Sequence, residues 1–307
     1  MILFNDRQIA EMIGKSWTEA ARRDLTIDAV LSRWATHPNS GTFPLADAFG
    51  ELKSLLEQDA LTVFFDVHAL YVGHVIATAV VVEDHDAVLA NPEVLKDVRH
   101  WRNGAADWIV HFEARNGAAL PMARYLRSRA AASSTELSYL RNRPGGITIS
   151  TWCSSDAVPT DLPSGEPPAQ AELLDVFDRG AEARRKRIAI LSLLASESNL
   201  SLLTAMKAAN WGINLDQCYV NESDSALLIW AWLSDAAIGR MLAQRSEIPA
   251  DPDWNCGRTP VIINMAGDAD DIGTAVETWR KMLPSGAGPA LRWDADRSKG
   301  RYAFVTV

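Results

Sequence analysis

The sequence predicts a mixed α/β (α+β) protein made of two tandem domains, and three observations lead there. A proline-rich stretch, SSDAVPTDLPSGEPPAQAE at residues 154–172, divides the 307-residue chain almost evenly. Proline removes backbone donors and prevents regular pairing, so this stretch reads as a linker between domains at 1–153 and 173–307. WRNGAADWIVHF (101–112) is matched by WNCGRTPVIINM (254–265), with Trp101 over Trp254 and Gly104 over Gly257, both at an offset of 153. Around these segments the helix-like and strand-like runs follow one order in both halves, as an internal repeat requires.

Taken in order, PLADAFGELKSLLEQDALTVFF (44–65) and NLSLLTAMKAANWGINLDQCYV (199–220) each read as an amphipathic helix entering a strand. VIATAVVVEDHDAVLA (75–90) and LIWAWLSDAAIGRMLA (228–243) each open as an apolar strand and end in Leu-Ala, eleven residues before the Trp. The Trp-x-x-Gly turns come next: glycine permits a tight turn into a strand while the indole caps the core. GGITISTW (145–152) and GRYAFVTV (300–307) close the halves with period-two alternation. The expected order in each domain is helix, strand, strand, Trp-x-x-Gly turn, strand, helix, strand.

Composition narrows the function classes. With 48% hydrophobic and 22% charged residues the chain is an ordinary globular protein, and its formal charge of −9 argues against a general nucleic-acid partner. The opening MILFNDRQIAEMIGKSW carries Asp6 and Glu11 and lacks the pattern of a secretory signal. No stretch approaches ~18 uninterrupted apolar residues, so no integral membrane segment is expected and the cytoplasm is the expected compartment. Cys153, Cys218 and Cys256 form no C-x-x-C pair, which suits reduced thiols better than a disulfide framework or a zinc site. No metal is expected either, because no histidine pair has a recognised helical spacing with a carboxylate.

Residues 30–152 resemble the toxin-activating lysine acyltransferases, which transfer fatty acyl groups from acyl carrier protein to internal lysines of RTX protoxins. The family pattern is W-x-x-G-x-x-x-W, an Asp three residues on, and a Gly six residues further; Trp101, Gly104, Trp108 and Gly117 fit it. YLRNRPGGITISTW is similar to the family's closing Arg- and Gly-rich strand. The second half keeps Trp254 and Gly257 but has Val261 for the second Trp. The resemblance implies a GNAT-like fold in each half, a mixed twisted sheet flanked by helices, with Trp101, Gly104 and Trp108 near the bound thioester. It implies acyl carrier protein as acyl donor and a protein as substrate or binding partner, with no tightly bound cofactor. Because family members are homodimers, it also implies a pseudo-dimer within one chain.

The family's base is a His four residues before a Trp-Pro type pair, partnered by the Asp. Here Phe43 and Pro44 stand for that pair, which puts Ser40 at the His position; a three-residue slip puts His37 there instead. The Asp position falls on His111. In the second half the two positions fall on Ala195 and Asn264, and all six histidines precede residue 112. An imidazole is suited to proton transfer because it titrates near neutrality. Two readings follow. One is a diverged acyltransferase centred on His37 or Ser40 with His111. The other is a catalytically silent module that binds an acyl carrier, an acyl chain or a protein. Arg184, Arg185, Lys186 and Arg187 offer either a docking face for an acidic carrier or an ordinary solvated helix surface.

Overall fold

The computed structural model describes residues 3–13, 18–37, 40–66, 68, 70–80, 85–96, 106–115, 117–133, 136–152, 177, 180–197, 199–296 and 301–307. The proline-rich stretch at 154–172 and the segment with Trp101 and Gly104 lie outside the described residues. By contact the chain forms two compact units: Met1–Thr26 with Leu52–Arg179, and Ile27–Glu51 with Gly180–Val307. Residues 27–51 therefore belong to the second unit although they precede the linker in sequence.

The first sheet has six strands in chain order: β1 (Leu3–Asn5), β2 (Leu61–Asp66), β3 (Tyr71–Val80), β4 (Ala106–Ala114), β5 (Leu137–Arg143) and β6 (Gly146–Trp152). All neighbours are antiparallel except β4 and β5, which are parallel. Among the described residues the helices before and between these strands in the chain are α1 (Asp6–Ile13), α2 (Glu19–Thr36), α3 (Leu45–Glu57), α4 (His85–Ala90) and α5 (Ala119–Ser133), of which residues 27–36 of α2 and 45–51 of α3 belong to the second unit. Met122, Leu126 and Ala130 recur on one face of α5 at helical spacing and pack on Phe64, Val72, Val75, Ile109 and Leu137 of the sheet.

The second sheet holds β7 (Cys218–Val220), β8 (Ala226–Leu233), β9 (Thr259–Gly267), β10 (Leu291–Asp296) and β11 (Arg301–Thr306), again in chain order and again with one parallel pair, β9 and β10. Its helices are α6 (Ala181–Glu197), α7 (Leu202–Asn214), α8 (Asp235–Gln244) and α9 (Ala269–Met282). Seven of the eight residues of β8, ALLIWAWL, are buried, as suits a central strand covered on both faces. Trp279 and Ala275 of α9 cover one face, and α6 and α7 pack against the strands as well. Ser201 and Ser234 start α7 and α8 by accepting hydrogen bonds from the backbone of Thr204 and Ala237, each at 3.2 Å.

The two sheets repeat residue for residue in register. Ile76 pairs with His111, and Ile229, 153 residues on, pairs with Asn264. Each pairing is followed by a bulge, between Ile76 and Ala77 in one unit and between Ile229 and Trp230 in the other. Trp108 lies opposite Ser138 in the first parallel ladder, and Val261 opposite Leu291 in the second, at the same offset. A bulge is a specific device that a chance resemblance between two mixed sheets would not place twice at equivalent residues.

Two adjustments to the expected order emerge. Each repeat gains a helix at its start, a short helix between its second and third strands, and a hairpin in place of a single closing strand. The early helix and strand also match at an offset of 157 rather than 155, since Leu61 pairs with Ile76 where Cys218 pairs with Ile229. This moves the second-half equivalent of Ser40 from Ala195 to Glu197. Within the second unit the matching segments pair with one another: the amide of Leu45 donates to the Leu200 carbonyl at 2.9 Å and the amide of Leu202 to the Phe43 carbonyl at 2.8 Å, about a Pro44–Ser201 bridge. With the 157 offset each of these bonds maps onto the other.

Candidate functional site

The bulge decides what the family spacing means in three dimensions. Alternation alone would send residues three apart to opposite faces of a strand. Because Ile76 pairs with His111 and Ala77 with Ile109, Val110 is the extra residue, and Trp108 and His111 share a face. That face is the one opposite α5, and it also carries His74, Ile76 and Glu113, with His74 directly across from Glu113. A second bulge between Phe64 and Phe65 of β2 brings Tyr71 round beside His74.

Four side chains form a continuous polar array here. The Tyr71 hydroxyl is hydrogen-bonded to Nδ1 of His74, and the rings stack at 6.2 Å. His74, completely buried, stacks in turn on His111 at 5.0 Å with 23° between planes. Nε2 of His111 lies 3.8 Å from Oε2 of Glu113. The His111 side chain is 47% exposed while that of Glu113 is 12% exposed, so the imidazole meets solvent and the carboxylate backs it from inside. Arg115 lies 5.8 Å above the Tyr71 ring. Chemically this is an accessible base or ligand oriented by a buried stack with a carboxylate beside it.

The parallel ladder between β4 and β5 joins residues 107–109 to 137–139. Among the described residues it ends at the bulge, although β4 runs on to Ala114 and β5 to Arg143. His111 and Glu113 therefore sit on the length of β4 beyond the pairing.

The other expected site residues fall elsewhere. His37 and Ser40 lie close together on the turn after α2, where the amides of Ser40 and Gly41 donate to the His37 carbonyl at 3.2 and 2.9 Å. They belong to the second unit, whereas His111 belongs to the first. Trp108 is fully buried, so any effect on a ligand passes through packing. The second Trp-x-x-Gly turn shows what that motif does: Trp254 is buried and stacks on Trp211 at 6.3 Å, and a Cβ on Gly257 would lie 2.1 Å from the backbone of Leu233. A shallow depression of about 440 Å³ lies beside this turn, lined by Gly257, Arg258, Trp232 and the 284–287 loop. The basic run is largely used internally: Arg187 donates to Asp28 at 2.6 Å, and of the four only Arg185 is exposed. Cys218 is buried, and burial pushes its thiol up.

Sequence reasoning missed His74 and Glu113. Its search was for helical spacing, whereas these residues meet through strand register. The readable signal was His-x-Glu at 111–113, a spacing that puts both side chains on one strand face.

Compared with known proteins, the chain matches no protein-family model and no curated protein. No helix among the described residues is long and apolar enough to cross a membrane.

Proposed function

We propose that the chain is a diverged tandem duplicate of the toxin-activating lysine acyltransferases, and that its first unit transfers an acyl group from an acyl carrier thioester to a protein lysine. The observation that carries this reading is His111: a solvent-facing imidazole at the family's acid position, on the part of β4 beyond its pairing with β5, with Glu113 behind it. The lysine amine attacks the thioester carbonyl and His111 takes the amine proton. Collapse of the tetrahedral intermediate forms the amide and expels the carrier thiolate, to which the imidazolium returns the proton. Glu113 holds the imidazolium in place during the step. Ser40, at the family's His position, cannot accept a proton near neutrality, and the exchanged roles leave His111 as the base.

In the second unit the positions of His74, His111 and Glu113 are Leu227, Asn264 and Ala266, by register. None is a base, so this unit serves as scaffold or carrier-binding surface. A wholly silent binding module is the second reading, and Ser40 at the His position favours it. Intact-mass analysis of the chain with acyl carrier protein and lysine-bearing protein tests the pair. Acyl-lysine product supports the enzyme. Carrier binding without product supports the module.

A further inference from the structure

The array on β3 and β4 holds more than a base. We infer that His74, His111 and Glu113 form a site for one divalent transition-metal ion of the Zn²⁺ class. One ligand atom from each of the three lies within 4.8 Å of the others, and the His111 to Glu113 separation is 3.8 Å. Two imidazoles and a carboxylate are a donor set that first-row divalent ions take up readily. Metal–ligand bonds of about 2.0–2.2 Å need these atoms to close by roughly 1 Å, a movement that torsions of the half-exposed His111 supply. His74 is the fixed point. It is buried, its ring lies beside that of Tyr71, and its Nδ1 is bonded to the Tyr71 hydroxyl. With Nδ1 donating to that hydroxyl, Nε2 carries the lone pair a metal requires, the outer-sphere arrangement common to metal-bound histidine. Three protein ligands, one of them facing solvent, leave a coordination position for water or a small anion.

The second unit supplies the control. The same strands, bulge and register accommodate Leu227, Asn264 and Ala266 at these positions, with Leu227 and Ala266 buried. The fold therefore does not need two imidazoles and a carboxylate there.

An ion would take up the His111 lone pair that acyl transfer needs, so metal uptake and base catalysis compete. Uptake is measured without any acyl donor, which keeps it separate from the acyltransferase reading. The test uses the full chain, stripped with chelator and then titrated with Co²⁺ for its visible ligand-field bands and with Zn²⁺ in competition. The expected result is one tightly bound equivalent, weakened at least ~100-fold by His111→Ala or Glu113→Gln and about 10- to 100-fold by Tyr71→Phe. Replacing the exposed His68 with Ala leaves it unchanged. Circular dichroism checks that each variant folds. No Co²⁺ bands in the wild type, or full-strength uptake in either His111→Ala or Glu113→Gln, overturns the site.

Discussion

Gly257→Ala should strike the second unit hard, because its neighbours are backbone and cannot rotate away. A Cβ there would lie 2.1 Å from both C and O of Leu233 and 2.2 Å from the amide nitrogen of Ser234. Restoring ordinary contact requires the turn and the end of β8 to part by more than about 1.3 Å, the kind of overpacking that typically costs about 1–3 kcal/mol. That movement also draws the amides of Cys256 and Gly257 away from the Trp232 carbonyl they share at 2.9 and 3.1 Å, bonds worth about 1 kcal/mol each. The expected loss is about 3–5 kcal/mol, a large part of a domain's stability. Gly239→Ala is the matched control: no atom outside its own helix lies within 4 Å of its Cβ position in α8, so the same chemical change should add about 0.5–1 kcal/mol. Urea unfolding followed by both tryptophan fluorescence and circular dichroism measures the two. A Gly257→Ala protein within 0.5 kcal/mol of the wild type would refute the close approach and, with it, the packing account of the Trp-x-x-Gly motif.

Three further expectations concern charge and thiols. Asp6 is buried, and desolvation pushes its carboxyl above the ordinary carboxylate value despite the opposing Arg22 at 3.3 Å. The folded state therefore holds this proton to higher pH than the unfolded chain, so Asp6's contribution is full below about pH 4 and is lost as pH rises through the raised value. Urea midpoints should show the wild type gaining on Asp6→Asn as pH falls from about 7 to 4, and the opposite slope contradicts the assignment. Asp28→Asn breaks the ion pair with Arg187, whose side chains are 14% and 19% exposed. It should cost about 1–2 kcal/mol, with a double-mutant cycle against Arg187→Met showing coupling rather than additivity. In alkylation followed by peptide mass spectrometry, exposed Cys256 should react at least ~10-fold faster than buried Cys218; the reverse order would contradict the burial.

How much of this was legible depended on anchors. Trp and Gly are rare and positionally fixed, so Trp254 and Gly257 set the 153 offset that the strand registers reproduce. The preceding helix has no such anchor. Its Leu and Ala pattern fits itself at several shifts, which is why the match fell at 155 where register gives 157. LSYLRNR and GITISTW form a hairpin rather than one closing segment, and the Pro144-Gly145 dipeptide between them was the readable turn signal. His111 lies on β4, yet its neighbours come from cross-strand pairing and two bulges, and a linear scan does not register either. The Arg184–Arg187 run looked like a surface because its partner, Asp28, lies about 160 residues earlier in the chain.

The central claim is that the polar face of β3 and β4 works and its apolar copy in the second unit does not. Single-turnover acyl transfer from acyl carrier protein to a lysine-bearing substrate tests it most directly, with wild type, His111→Ala and Asn264→Ala compared at equal carrier binding. The account predicts a fall of at least ~10²-fold for His111→Ala and no change beyond a few-fold for Asn264→Ala. Robust transfer that is indifferent to His111, or that is lost with Asn264 alone, would contradict it.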